Sequence, residues 1–305
     1  MFRHLLVPLD GSHLAESVLP ATVFLGHRLG ARVTLFHAVE RGAPTLVHGD
    51  RHLTQPGEAE AYLRQVAEWL ATQGVQATSG LSTDVSDVAT GIADFASGSG
   101  VDLIVLGTHG GSGVRVLLFG RVAQQVLQRG SIPVFLIQPS AQGRDQTFTC
   151  TRILVPLDGS ETAEIALPAA SAMAQACRAG LHLVWVVPTV VTVSGERAAV
   201  TKLMPTAAAV LLDEEAGQAR RYLESVRARL LGKGVEATLA VDRGEPVRVL
   251  LDEVVKQRTE LIVMATHGRS GVGAVWAGSV ASRIVGQSTK PVLLIRIPLS
   301  ATGSM

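Results

Sequence analysis

Leu5-Leu6-Val7-Pro8-Leu9-Asp10-Gly11-Ser12 returns almost unchanged further along the chain, as Ile153-Leu154-Val155-Pro156-Leu157-Asp158-Gly159-Ser160. Each copy is a short apolar run stopped by Pro-Leu-Asp-Gly, the pattern of a buried strand that ends in a tight turn. Working outward, the matches continue. Tyr62, Leu63, Gly74 and Val75 are matched by Tyr222, Leu223, Gly234 and Val235. LIVLGTHG at 103–110 returns as LIVMATHG at 261–268, Gly120 returns as Gly278, and IPVFLI at 132–137 returns as KPVLLI at 290–295. The period is the size of a domain, so the repeat marks a duplicated domain and not a solenoid.

The join falls in the polar, turn-rich stretch QPSAQGRDQTFTCT that follows Ile137. A boundary near residue 147 gives domains 1–147 and 148–305. Within the first copy, apolar runs at Leu5–Leu9, Val33–Val39, a weak one at Val75–Leu81, Leu103–Gly107 and Val134–Ile137 read as strands. Helical patterns fall between them at about 14–28, 58–72, 86–97 and 114–129. The second copy repeats the plan, with Pro246 placed to open its third helix. Five strands alternating with four helices imply an open parallel α/β sheet with right-handed crossovers.

Composition narrows the functional classes. The chain of 305 residues carries 27 Lys+Arg against 26 Asp+Glu, a net charge of +1, which argues against nucleic-acid binding by phosphate neutralisation and against a polybasic membrane patch. With 47% hydrophobic and 17% charged residues it has material for folded cores, which excludes disorder. Mean hydropathy is high at +0.31, yet the most apolar stretch, Ile165 to Val193, is broken by Pro168, Arg178, His182 and Pro188 and does not read as a membrane span. Met1–Ser12 has too short an apolar run for a signal peptide. Cys150 and Cys177 are too few for a disulfide framework or a zinc site. A soluble cytoplasmic protein is expected.

In an open α/β sheet, ligands sit beyond the carboxyl ends of the strands where strand order reverses. Two strand ends in each copy carry unusual residues. After the first strand, Asp10 or Asp158 can accept from a nucleotide sugar or base, or approach a phosphate-bound metal. Equally, Asp10 or Ser12 can cap the following helix while Gly11 makes the turn. The fourth strand runs into Gly107-Thr108-His109-Gly110, nine residues, then Gly120-Arg121-Val122. In the second copy it runs into Ala265-Thr266-His267-Gly268, nine residues, then Gly278-Ser279-Val280. Small residues let a backbone approach phosphate oxygens, and a helix start offers unpaired N–H groups and a positive dipole end.

The spacing G-x2-G-x9-G-[S/T], paired with an early V-P-x-D-x-S turn, resembles the nucleotide loop of the universal stress protein family, and the resemblance covers nearly the whole chain as two copies. It implies two tandem doubly wound, Rossmann-like domains of the adenine nucleotide alpha hydrolase-like kind, each a five-stranded parallel sheet. It also implies ATP, with or without Mg²⁺, at the switch point and a role in stress response. On that basis Pro8, Asp10, Ala38, Gly107, Gly110, Gly120, Arg121 and Val122 are the binding positions of the first copy. Pro156, Asp158, Val186, Ala265, Gly268, Gly278, Ser279 and Val280 are those of the second. Each copy departs from the pattern once. Ala265 replaces a glycine at little cost in space; Arg121 replaces the Ser/Thr, and can either clamp a phosphate or fill its place. The copies are therefore expected to differ in affinity. The resemblance further implies that the last strands, Val134–Ile137 and Val292–Ile295, pair with each other, giving a pseudo-dimer within one chain and leaving homodimerisation open.

Neither a G-x4-G-K-[S/T] loop nor a complete G-x-G-x-x-G is present, and H-E-x-x-H, C-x-x-C and G-x-S-x-G are missing as well. No catalytic residue or metal ligand is assigned; His109 and His267 read as turn residues. Trp69, Trp185 and Trp276 do not recur in register and read as packing. Arg220, Arg221, Arg227 and Arg229, interleaved with Glu214, Glu215 and Glu224, read as a solvated helix face. Three functions stay open: a nucleotide-dependent sensor, a slow ATPase or phosphoryl or adenylyl transferase, and a nucleotide-free scaffold.

Overall fold

A computed structural model describes residues 2–43, 46–47, 50–108, 120–139, 144, 147–192, 203–266 and 279–297. Two compact units divide the chain: Met1–Thr149 with Thr266–Ala277 and Val285–Met305, and Cys150–Ala265 with Gly278–Ile284.

In the first unit, β1 (His4–Pro8) leads through a 3-10 turn (Ala15–Val18) into α1 (Leu19–Leu29), then β2 (Arg32–Glu40). Two short strands, β3 (Leu46–Val47) and β4 (Asp50–Arg51), precede α2 (Pro56–Thr72). There follow β5 (Ala77–Val85), α3 (Val88–Gly98), β6 (Leu103–Gly107), α4 (Arg121–Arg129) and β7 (Val134–Ile137). The order β5-β2-β1-β6-β7 is parallel throughout, and it reverses at β1, between β2 and β6. The runs read as central strands are central: Leu5, Leu6, Val7, Leu103 and Val105 are closed to solvent to within 1%. Removing such a side chain from water contributes about 1.5–3 kcal/mol each, which fixes this register against slippage. The weak run becomes β5, an edge strand whose residues are mostly half-buried or exposed. Its pattern is faint because only one of its flanks meets a neighbouring strand.

In the second unit, β8 (Arg152–Pro156), α5 (Glu161–Glu164), α6 (Ala166–Cys177), β9 (Gly180–Val187) and α7 (Pro205–Leu231) come first. They are followed by β10 (Ala237–Arg243), α8 (Pro246–Lys256), β11 (Leu261–Thr266) and α9 (Val280–Gln287). Its strands run β10-β9-β8-β11, again parallel. Pro246 is the first residue of α8, and Glu245 before it accepts from Arg248 N at 2.9 Å.

The last strand, β12 (Val292–Arg296), belongs to the first unit. It pairs antiparallel with β7, Val292 facing Leu136 and Leu294 facing Val134. The last strands of the two copies pair as the resemblance implies, and because they run antiparallel the sheet is mixed and mostly parallel. Both edge strands are short and wholly buried, and each satisfies the other's backbone.

Candidate functional site

The Pro-Leu-Asp-Gly turn is built the same way in both repeats. Asp10 Oδ1 accepts from Ser12 N at 2.9 Å and Ser12 Oγ at 2.6 Å; Asp158 Oδ1 accepts from Ser160 N at 3.0 Å and Ser160 Oγ at 2.6 Å. Each serine oxygen then accepts from the backbone three residues on, Ala15 N and Ala163 N, both at 3.1 Å. Gly11 and Gly159 have φ of +89° and +77°, the region only glycine enters cheaply. The capping alternative therefore holds for the serines, and the aspartates orient them.

Strand register places these turns beside the other candidate residues. Pro8 faces Phe36 and Pro156 faces Val184, so Ala38 and Val186 each lie two residues further along the neighbouring strand. Leu9 N and Leu157 N donate to Phe36 O and Val184 O at 2.8 and 2.9 Å, which holds each turn against that strand end. On the other side of β1, Gly107 closes β6, and Gly120 N donates to Thr108 O. That bond returns the start of α4, with Arg121 and Val122, to the end of β6. In the first repeat Pro8, Asp10, Ala38, Gly107, Gly120, Arg121 and Val122 thus gather at the carboxyl ends of three adjacent strands. Gly110, Gly268 and Gly278, together with His109, His267 and Trp276, lie outside the described residues.

The helix starts differ as the sequences do. In the second repeat Ser279 Oγ accepts from Ser282 N at 3.2 Å, capping α9. In the first, Arg121 matches Ser279 in sequence but is already the first residue of α4, whose N-cap is Gly120 and which has no side-chain cap. Val122 and Val280 are partly exposed beside these starts. Ala265 lies in β11.

Supports not legible as single motifs surround both turns. Tyr62 donates to Glu16 Oε1 at 3.0 Å and Tyr222 to Glu164 Oε1 at 2.7 Å. Burial and then the neighbouring glutamate push both phenols up, so both remain protonated donors. Each glutamate also holds an arginine. Glu16 takes Arg144, at 2.7 and 2.6 Å, from the linker; Glu164 takes Arg229, at 3.0 Å from both oxygens, from α7. Arg229 is exposed, as a solvated face requires, but it pairs away from its own helix and not with a glutamate along it. Asp87 and Glu245 cap α3 and α8 and pair with Arg129 at 2.9 Å and Arg283 at 2.8 Å. Arg296, at the end of β12, is buried with no partner on Nε, and burial pushes it down to about 10.

Among the described residues no group of three His, Cys, Asp or Glu side chains is placed to hold a metal ion, and no helix is long and apolar enough to cross a membrane. Cys150 and Cys177 are both buried; a hydrogen bond to Cys177 and burial push the Cys150 thiol up, which keeps it from acting as a nucleophile.

Fold, turn and helix start define a tandem α/β protein of the adenine nucleotide alpha hydrolase-like class. The chain belongs to the universal stress protein family, which matches residues 1–138 and 149–296. It is 28% identical over 204 residues to a universal stress protein of Mycolicibacterium smegmatis, a match covering 64% of this chain and 61% of that relative. It is 28% identical over 145 residues to a Bacillus subtilis universal stress protein, covering 48% of this chain and 98% of the relative. A crystal structure of a universal stress protein from Archaeoglobus fulgidus shares the fold with a TM-score of 0.72 at 18% identity, covering 96% of this chain and 98% of that one.

Proposed function

We propose that this chain is an ATP-binding regulator of the stress response, in which nucleotide occupancy changes what the protein presents to partners and turnover is slow or absent. Its functional domains are residues 1–147 and 148–305, and it works in the cytoplasm. The observation that carries the reading is the bond from Gly120 N to Thr108 O. It draws a helix start and a small-residue strand end together beside Asp10, leaving backbone N–H groups and small side chains where phosphates would lie. The residues fit such a group without a basic surplus, in keeping with the net charge of +1. Asp10 and Asp158 would meet the sugar or base, and Ala38 and Val186 the base edge through their main chain. Gly107, Gly110, Gly120 and Val122 would line the phosphates in the first repeat; Ala265, Gly268, Gly278, Ser279 and Val280 would do so in the second. Any Mg²⁺ arrives with the phosphates.

Mass spectrometry of the nucleotide carried through purification, with its stoichiometry per chain, tests this directly. An adenine nucleotide retained without product supports the regulator, and steady release of product from labelled ATP supports the enzyme. Neither, even with ATP and Mg²⁺ added, supports the scaffold.

A further inference from the structure

His37 and Trp185 hold the same place in the two repeats, one residue beyond the pairs Pro8–Phe36 and Pro156–Val184. They are used in different ways. His37 is buried, with Nδ1 2.7 Å from Leu9 O and Nε2 3.0 Å from Leu53 O. It thereby ties down the segment that carries Leu53, whose side chain rests on Gly11: a Cβ there would stand 2.8 Å from Leu53 Cγ. In the second repeat the indole itself covers the glycine, a Cβ on Gly159 standing 2.6 Å from Trp185 Cη2. Trp185 is half-buried, and Asp158, Gly159 and Ser160 around it are exposed.

We propose that Trp185 is the base-contacting residue of the second repeat, a fixed aromatic wall for the purine ring of an adenine nucleotide, with no counterpart in the first. The inference rests on the nucleotide reading above and adds the residue that would recognise the base. Two features carry it. The indole lies against Gly159, the residue after Asp158, and Trp185 directly precedes Val186 in β9, so both candidate base positions adjoin it in the chain. It is also held in place beforehand: its ring meets Tyr222 edge-on, with centroids 5.4 Å apart at 73°, and Tyr222 is anchored by Glu164. Behind it Val187, Leu212 and Ala219 form a closed apolar cluster. A rigid, partly exposed aromatic face offers a flat ring stacking or edge contact at little entropic cost.

The test measures ATP binding by equilibrium dialysis with labelled nucleotide, and tryptophan emission during the same titration. Wild-type emission is expected to change in step with binding, and Trp185→Phe to remove that change. Trp185→His, which installs the residue of the first repeat, is expected to weaken the tighter class of ATP sites about tenfold, the scale of one base–aromatic contact. Inorganic tripolyphosphate, which has no base, is expected to bind wild type and Trp185→His alike. ATP bound with emission unmoved and affinity unchanged in Trp185→His overturns the role of Trp185 and leaves nucleotide binding standing. No ATP bound by wild type overturns both. Should Trp185→His lose its circular dichroism signature, wild-type emission and Trp185→Phe decide the matter.

Discussion

In the first repeat Asp10, Gly11 and Ser12 are buried or half-buried, and Leu53 from the segment before α2 lies on the glycine. Asp50 of the same segment accepts from His13 N at 2.9 Å, just past the turn. In the second repeat the same turn, with the same Asp–Ser hydrogen bonds, is exposed and the atoms nearest the glycine are those of Trp185. The difference teaches that duplication kept the local geometry and let the cover diverge. Backbone requirements at a left-handed glycine are strict, whereas what rests against it is free to change if the volume is filled.

The largest expected effect comes from filling that volume. Gly159→Ala places a methyl group in a left-handed conformation and against the rigid indole, and is expected to cost about 3 kcal/mol in chemical unfolding. Gly11→Ala bears the same backbone cost but meets a leucine on a peripheral segment, and is expected to cost about 2 kcal/mol. Trp185→His in the Gly159→Ala background should recover the packing part and leave the backbone part. Equal costs for the two alanines, with no recovery, would show that the covers are equivalent after all.

A second contrast lies in the paired arginines. Arg144 and Glu16 are 29% and 12% exposed in their side chains, and the guanidinium also lies 5.3 Å over the Trp69 ring. Arg229 and Glu164 are 55% and 30% exposed. Arg144→Ala leaves a nearly closed carboxylate with Tyr62 as its remaining anchor, and is expected to cost about 2 kcal/mol. Arg229→Ala, more open to water, is expected to stay below about 1 kcal/mol. Urea midpoints of the two variants decide the ranking, and a reversed order would remove Arg144 as the brace of the first repeat.

Smaller still is the difference between the helix starts. Arg121→Ser changes the first residue of α4 and leaves its Gly120 N-cap in place, so stability is expected to shift by less than about 0.5 kcal/mol. On the nucleotide reading it also makes the copies alike, so retained nucleotide should approach two per chain. A wild-type chain that already retains about two would show that Arg121 does not exclude phosphate.

Much of this was legible in the residues. The repeated LVPLDGS run carries strand, turn and cap in seven letters, because each needs only neighbours in sequence: apolar period, glycine at positive φ, serine three residues before its donor. The tyrosine–glutamate bonds were half-visible, since Tyr62 and Tyr222 recur, as do Glu16 and Glu164, but nothing local says that they meet. Arg144 read only as linker, and Leu53 as nothing at all. Their roles come from tertiary contacts over 16 positions of chain for Leu53 and 128 for Arg144, to which hydrophobic periodicity is blind. Trp185 was read as packing because it has no aromatic counterpart in the first repeat. The structure shows it packed, and also shows that the lack of a counterpart is what distinguishes the two turns.

The gentlest expected difference is a response to mild acid carried by His182 of the second repeat. Thr34 pairs with Leu6 and His182 with Leu154, so these two residues are equivalent. Thr34 bonds Thr78 at 3.1 Å and carries no charge, whereas buried His182 bonds Thr238 at 2.8 Å and Glu253 at 2.9 Å. Burial pushes His182 below its ordinary 6.5 despite the carboxylate. Burial would raise Glu253, but hydrogen bonds from Lys256, His182 and Gln257 outweigh it and hold the acid below its ordinary 4.5. As pH falls below 6.5 the unfolded chain takes up a proton on His182 that the folded chain resists, so stability declines. The Glu253 contribution follows only further down, as pH falls below 4.5 through its folded value. Asp242 works in the opposite sense: burial and Glu253 raise it above 3.8, so its folded carboxyl holds a proton that the unfolded chain has released. That contribution is present in acid and is lost as pH rises through the folded value, which is why the net response should be shallow. Urea midpoints should therefore drift down between pH 7 and pH 5 in the wild type, and His182→Thr, which copies the first repeat, should lose that decline. Parallel curves for the two proteins would place the acid response elsewhere and remove His182 from the contrast.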